Sequence, residues 1–313
     1  MALRKMLPLM LLATLVLVPS AEAKYRVGVG DQNAAMFDSA RWQSLKLKRT
    51  RYMVPWNWNR DAGLAAEVTA HMNRARAARQ QVLVTFTAPW GCWNGRRYSR
   101  RKACRAPSAK AYRKSFIALD KRFPWVKTYS AWNEVNHASQ PTFKKPGLAV
   151  RYYNVLRKQA RKRKFKVMAA DILDTSNMRR YLRSFLRKAK GKPRLWGLHN
   201  YQDVNRRTSA DTRLMLSMVP GQVWLTETGG IVKFQKFRYS PRRAAARTKW
   251  MLKLANRFDS RQRGLRSTVT QLFVYRWFGE ASRSARFDAG LVNASGSPRP
   301  AYRVFSKAAR THR

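Results

Sequence analysis

Eight short apolar segments alternating with longer amphipathic ones predict a single (β/α)8 barrel, an α/β fold in one domain. Two further observations agree. The short segments are rich in Val, Leu, Tyr and Phe without convincing polar alternation, the pattern of strands buried on both faces. Hydrophobic residues form 45% of the 313-residue chain and aromatic ones 12%, enough to fill a large core. A doubly wound open sheet is the competing topology, but Gly28-x-Gly30 is only half of a dinucleotide fingerprint. No internal repeat, low-complexity linker or second domain is visible.

The predicted strands are 26–29, 51–55, 82–86, 126–131, 166–170, 195–199, 223–225 and 271–275. Apolar positions three and four apart predict helices over 62–78, 108–123, 146–163, 177–190, 208–218 and 241–256, with a last one over 301–310. Ser108 suits an N-cap, and Pro146 and Pro241 suit a first helical turn, where no partner exists for the missing N–H. The connection over 32–47 is helix-poor and is the weakest unit.

Residues 1–23 read as a secretory signal. Arg4 and Lys5 supply a positive start, 6–18 an apolar stretch, and Ala21-Glu22-Ala23 a small-x-small cleavage site. The apolar stretch falls short of the ~20 residues that span a bilayer, which argues against a transmembrane anchor. The folded domain is expected to be 24–313, secreted or associated with the cell envelope, and monomeric. Cys92 and Cys104 are the two cysteines and share the Gly- and Arg-rich stretch 90–107. An oxidising destination favours a disulfide over two free thiols. Closing so short a loop contributes ~3 kcal/mol, mostly by restricting the unfolded chain.

Lys and Arg number 66 against 15 Asp and Glu, a net charge of +51. Such apolar content and periodicity exclude a disordered basic tail. The densest clusters are Arg96-Arg97-Tyr98-Ser99-Arg100-Arg101-Lys102, expected to overhang the barrel mouth, and Arg161-Lys162-Arg163-Lys164, expected on a solvated outer face. Most of this charge reads as compositional bias. The rest predicts salt-sensitive association with an anionic cell-envelope polymer. A nucleic-acid binder shares the footprint, but the export signal, the barrel order and the lack of a nucleic-acid module oppose it. His71, His137, His199 and His312 are scattered without metal-ligand spacing, and neither a metal nor a cofactor is expected.

The scarce acids are informative. Asp31, Glu134, Asp171, Asp203, Glu227 and Glu280 each fall just beyond a predicted strand, on the face where the βα loops of a barrel converge. A chain drifting toward basic composition loses dispensable carboxylates first, so the residue set that remains is enriched in needed ones. Glu134 and Glu227 follow the fourth and seventh strands, on roughly opposite sides of the mouth. Two carboxyl groups facing across a sugar are what glycoside hydrolysis requires, one to protonate the leaving oxygen and one to attack carbon or activate water. Trp56, Trp132, Tyr201, Trp224 and Trp277 lie at or near strand ends, where flat rings stack on sugar faces or else fill the core.

The segment Trp132-Asn133-Glu134-Val135-Asn136 resembles the Trp-Asn-Glu-Pro motif on the fourth strand of clan A glycoside hydrolases. His199-Asn200-Tyr201 resembles their His-x-Tyr after the sixth strand, and Trp224-Leu225-Thr226-Glu227-Thr228-Gly229 their nucleophile segment on the seventh. Trp277 is similar to the aromatic ending the eighth strand, and Arg51 to Trp56 to an Arg-x-x-x-Pro-x pattern on the second. Gly290-Leu291-Val292 and Gly296 to Tyr302 are similar to the closing turn and helix start of many such enzymes. Families 5, 39 and 128 are the nearest in pattern. The resemblance implies a retaining hydrolase with Glu134 as acid/base and Glu227 as nucleophile. It implies that Asn133 holds the sugar 2-hydroxyl, that Tyr201 orients Glu227, that His199 braces the site, and that Arg51, Trp56 and Trp277 contact substrate.

Two departures stand out. Val135 replaces the motif's proline, and Thr87-Ala88-Pro89 stands where family 5 enzymes often keep a histidine. The second leaves room for a barrel that binds glycans without cleaving them. An acid role requires Glu134 to be protonated, so its surroundings are expected to be aromatic or amide, with cations excluded.

Overall fold

The computed structural model describes residues 25–312 except Lys236; the predicted signal at 1–23 lies outside the described residues. The chain opens with β1 (Arg26–Gly30), a 3-10 turn, the short α1 (Ala40–Ser44) and β2 (Arg49–Pro55). Then follow α2 (Ala62–Ala77), β3 (Gln81–Thr87), α3 (Ala109–Arg122), β4 (Thr128–Ser130) and α4 (Pro146–Arg163). The middle holds β5 (Lys166–Met168), β6 (Asp171–Leu173), α5 (Met178–Lys188), β7 (Leu195–His199), α6 (Tyr201–Arg206) and α7 (Ala210–Met218). The last part comprises β8 (Gly221–Thr228), β9 (Lys233–Phe234), α8 (Pro241–Phe258), β10 (Ser267–Tyr275), β11 (Phe287–Asp288) and α9 (Pro300–His312).

Nine strands pair in parallel in the order β5-β4-β3-β2-β1-β10-β8-β7-β6. The two ends of that sheet are consecutive in the chain, because β5 and β6 are halves of one stave interrupted at Ala169 and Ala170. Backbone bonds close the seam: Ala169 N–H donates to Leu195 O (2.9 Å), and Asp171 N–H to Trp132 O (3.1 Å). The fold is therefore a single (β/α)8 barrel of eight staves. The fifth continues past its predicted end at 170, so Asp171 sits inside a strand. The seventh is also longer than predicted, and Glu227 lies within β8.

Two apolar clusters follow from strand alternation. On β3, Val82, Val84 and Phe86 face the helices while Leu83 and Thr85 face the barrel axis. The outer cluster joins strands to helices; the inner one is Leu83, Met168, Trp224 and Phe273. Gly28 makes room for it, since a Cβ there would lie 2.8 Å from the Phe273 ring and 2.6 Å from Arg49 O. Helix starts follow the local chemistry. The Ser108 hydroxyl accepts from Ala111 N–H, and Pro146 and Pro241 occupy first turns. Among the described residues no helix is long and apolar enough to cross a membrane.

Candidate active site

Glu227 faces the barrel axis because β8 carries one extra residue. Gly197 and His199 of β7 pair with Trp224 and Glu227, and Leu272 and Val274 of β10 pair with Leu225 and Thr228. Plain alternation would turn Glu227 outward, opposite to Trp224 and Thr226. The bulge puts Thr226 and Glu227 on the same side, a recurrent way of re-aiming a side chain beside a site. Glu134 is aimed differently. Its φ of +40° lies in the left-handed region, which costs a non-glycine residue roughly 1 kcal/mol and turns the loop after β4 back over the mouth.

These two devices bring the carboxylates together. Glu134, His199 and Glu227 each present a polar atom within 4.8 Å of the others. Arg51, on β2 and 1% exposed, donates from Nη1 to Glu227 Oε2 (2.9 Å) and from Nη2 to Asn133 Oδ1 (2.7 Å). Nη2 also lies 3.3 Å from Asp171 Oδ2 and 3.4 Å from His199 Nε2. A guanidinium cannot accept, so His199 Nε2 presents its lone pair to Arg51 and the Nδ1–H points at Glu134 Oε1, 3.2 Å away. Tyr201, opening α6, donates its hydroxyl to Glu227 Oε1 (3.2 Å). Burial and the Glu227 charge push the Tyr201 phenol well up, which keeps that proton in place.

Below the pair, Asp171 is fully buried. It accepts from Thr226 Oγ1 (2.7 Å) and Thr85 Oγ1 (3.2 Å) as well as from Arg51. Gly197 leaves it the space, since a Cβ there would lie 1.9 Å from Asp171 Oδ1.

The surroundings of Glu134 differ from the expectation. Burial pushes its carboxyl up, but the His199 hydrogen bond, with His137 and the Arg51 charge nearby, outweighs it and holds the group below its ordinary value. His137 Nδ1 lies 3.5 Å from Glu134 Oε2. Cations are not excluded here: the charge of Arg51 reaches Glu134 from β2, and the loop that aims Glu134 also carries His137 three residues on.

The glutamates open into a cleft of about 530 Å³, within the range of small-ligand sites. Its aromatic faces are Trp93, Tyr201, Phe234, Tyr275 and Phe287. Phe234 and Phe287 come from the β9–β11 ribbon, and Trp93 from the loop closed by the Cys92–Cys104 disulfide. The loop reaches the mouth through Trp93 and Gly95. Arg286 fastens it to the opposite wall, donating to Asn94 O (2.9 Å) and to Gly95 O.

Arg51, Asn133, Glu134, His199, Tyr201 and Glu227 are thus gathered in one place, while two other expected substrate contacts are not. The Trp277 ring is fully buried and packs edge-on against Tyr302; Trp56, 8% exposed, lies under Arg60. Trp132 stacks on Tyr152, and Trp224 lies in the inner apolar cluster. Each belongs to packing because its side-chain direction carries it away from the cleft. Arg51 is too deep to meet a sugar and instead holds Glu227. Sequence reasoning missed Tyr275, whose ring lines the cleft from the last residue of β10, two positions before the tryptophan chosen. It also missed His137, Trp93 and the ribbon phenylalanines, which no strand-end rule marks.

Of the other rim acids, three are structural. Asp31 accepts from Trp277 and Phe278 N–H (2.9 and 3.0 Å), Asp203 caps α7 through Thr212 N–H (2.6 Å), and Glu280 pairs with Arg276. The spacing of Glu134, His199 and Glu227 would suit a cation. Arg51 already places a positive charge on Glu227 and opposes a second one.

Comparison with known proteins agrees with the fold. The family described as glycosyl hydrolase catalytic core matches residues 106–305, a span holding both glutamates. No curated protein matches by sequence. A family 39 glycoside hydrolase from Bacteroides cellulosilyticus WH2 is similar in structure at a TM-score of 0.60 and 14% identity, over 92% of this chain and 64% of that one. A fungal β-1,4-galactanase superimposes at 0.62 and 13% identity, over 91% of this chain and 99% of that one. A xylanase from Cellvibrio japonicus gives 0.61 and 12%, over 91% and 98%. The chain spans about two thirds of the length of the family 39 enzyme and of a Clostridium thermocellum xylanase, 64% and 66%. At such identities these likenesses speak to the fold.

Proposed function

The chain belongs to the glycosyl hydrolase catalytic core family, and from that premise we propose a secreted, monomeric, retaining glycosidase acting on β-linked poly- or oligosaccharide. One observation carries the reading: carboxylate oxygens of Glu134 and Glu227 approach within 4.8 Å. That suits the ~5–5.5 Å separation of a double displacement and leaves little room for the water an inverting site holds across ~6.5–9.5 Å.

Glu134 protonates the glycosidic oxygen as its bond to the anomeric carbon breaks, and Glu227 attacks that carbon to form an ester. Glu134 then takes a proton from water, which displaces Glu227 with a second inversion. Arg51 and Tyr201, one donor on each oxygen of Glu227, hold it oriented. Oε2 faces the buried Arg51, so Oε1 on the cleft side is the attacking atom. Asn133, its Oδ1 committed to Arg51, has its amide N–H groups for the sugar 2-hydroxyl. The cationic rim loop gives the enzyme salt-sensitive association with an anionic envelope polymer.

The test is turnover of β-linked glycans with product anomers followed by NMR. Wild type should release the retained anomer. Glu134→Ala should lose about 10²–10⁴ in rate and Glu227→Ala about 10⁴ or more. Azide should rescue Glu227→Ala with an inverted glycosyl azide and Glu134→Ala with a retained one. Inverted product from wild type would overturn the assignment. The His199 hydrogen bond and the nearby His137, which lower the Glu134 carboxyl, favour a second reading, a catalytically silent carbohydrate-binding barrel. Binding of several glycans with turnover of none would select it.

A further inference from the structure

Beside the cleft lies a larger groove, about 1100 Å³, along the outer face of α5. Its cations are Lys144, Arg179, Arg180, Arg183 and Arg187, all exposed, and no carboxylate lines it. From Thr175 to Gln202 the chain contains no Asp or Glu. Among the described residues none of these five cations takes part in an ion pair. Elsewhere on this basic surface arginines do find partners, as Arg74 with Asp38 and Arg163 with Asp120.

Arg179, Arg183 and Arg187 recur every four residues, so like charges stack on one helix face over ~12 Å. Each such pair is destabilising. The helix is held despite them by Met178, Tyr181, Leu182 and Phe185 on its buried side. Among the described residues no carboxylate pairs with these arginines, and a bound polyanion would offset the repulsion.

The groove adjoins the cleft. Asp174 and Thr175 line the cleft, and the next residues, Ser176 and Asn177, line the groove. Asn177 is fixed to Asn136 beside the Glu134 loop, its Nδ2 donating to Asn136 O (2.9 Å). A linear polymer leaving the cleft over this single turn meets the arginine track. We infer that the α5 groove is an accessory site for an acidic polysaccharide, one bearing uronate or ester anions, whose neighbouring segment occupies the cleft. The Ser176 hydroxyl at its upper end suits sugar hydroxyls. Its one aromatic, Tyr181, is 5% exposed and gives no platform for stacking bases, which disfavours a single-stranded nucleic acid. The inference rests on the glycosidase reading only for the kind of polymer, and its test reads binding.

Fluorescein-labelled oligogalacturonate is titrated at about 50 mM salt, where surface charge is weakly screened. The α5 variant carries Gln at 179, 180, 183 and 187; a control carries Gln at the exposed Lys110, Arg113, Lys114 and Lys121 of α3, an equal charge loss. The α5 variant should bind about tenfold or more weakly and the control less than about threefold. Arg180→Gln with Arg183→Gln should fall between, giving a milder step should the fourfold change disturb α5. On a Glu134→Gln, Glu227→Gln background the same α5 substitutions should weaken binding by the same factor, separating this site from the fate of the catalytic reading. Equal losses in the α3 and α5 variants would overturn the inference. So would an equally charged oligodeoxynucleotide bound as tightly through the same arginines.

Discussion

Toward the N-terminal ends of its strands the barrel interior is filled by Leu83, Met168, Trp224 and Phe273. Toward the C-terminal ends it is filled by Arg51, Asp171, His199, Glu227 and Asn133. Both layers are nearly free of solvent. The lower one asks only that volume be filled. The upper one asks that every charge find its opposite, because an unpaired ion in such a place is far costlier than a void. Burial alone therefore says little about what a residue here is for.

The sharpest way to break this contrast is Arg51→Met, which keeps volume and removes the one cation shared by Glu227 and Asp171. We expect a loss of about 3–5 kcal/mol in urea unfolding, the usual cost of stranding a buried charge, and a fall in kcat/KM of about a thousandfold. Phe273→Ala in the lower layer should cost a similar ~3–5 kcal/mol by leaving a cavity, yet kcat/KM per folded molecule should stay near wild type. If both variants lose activity alike, the layers are one unit and the contrast fails.

A smaller effect sharpens the upper layer. His137 helps hold the Glu134 carboxyl low, so His137→Ala should raise it. The alkaline limb of kcat/KM reports loss of the acid's proton, and it should move to higher pH in the variant. A limb that stays in place, or moves down, would mean that the acid titrating there is not Glu134.

The fold was legible because its signals are local. Helix starts at Ser108, Pro146 and Pro241 depend on the residues themselves. Of the site, the parts legible were those fixed to strand ends, such as Glu134, His199, Tyr201 and Glu227. The illegible parts have two causes. Side-chain direction decides whether a strand-end aromatic meets solvent or core, and two residues separate Tyr275 in the cleft from Trp277 beneath it. Loops from distant stretches also meet only in space, as Trp93, Phe234 and Phe287 do around one cleft. The fifth stave runs past 170, interrupted at Ala169 and Ala170, and so carries Asp171 inside the barrel rather than at its rim.

The extra residue in β8 makes the orientation of Glu227 a matter of parity. Deleting Thr226 would restore even pairing with both neighbours and leave Glu227 two residues after Trp224, still facing the axis, while removing the hydroxyl that donates to Asp171. The extra residue is what lets two consecutive side chains of one stave serve the same interior.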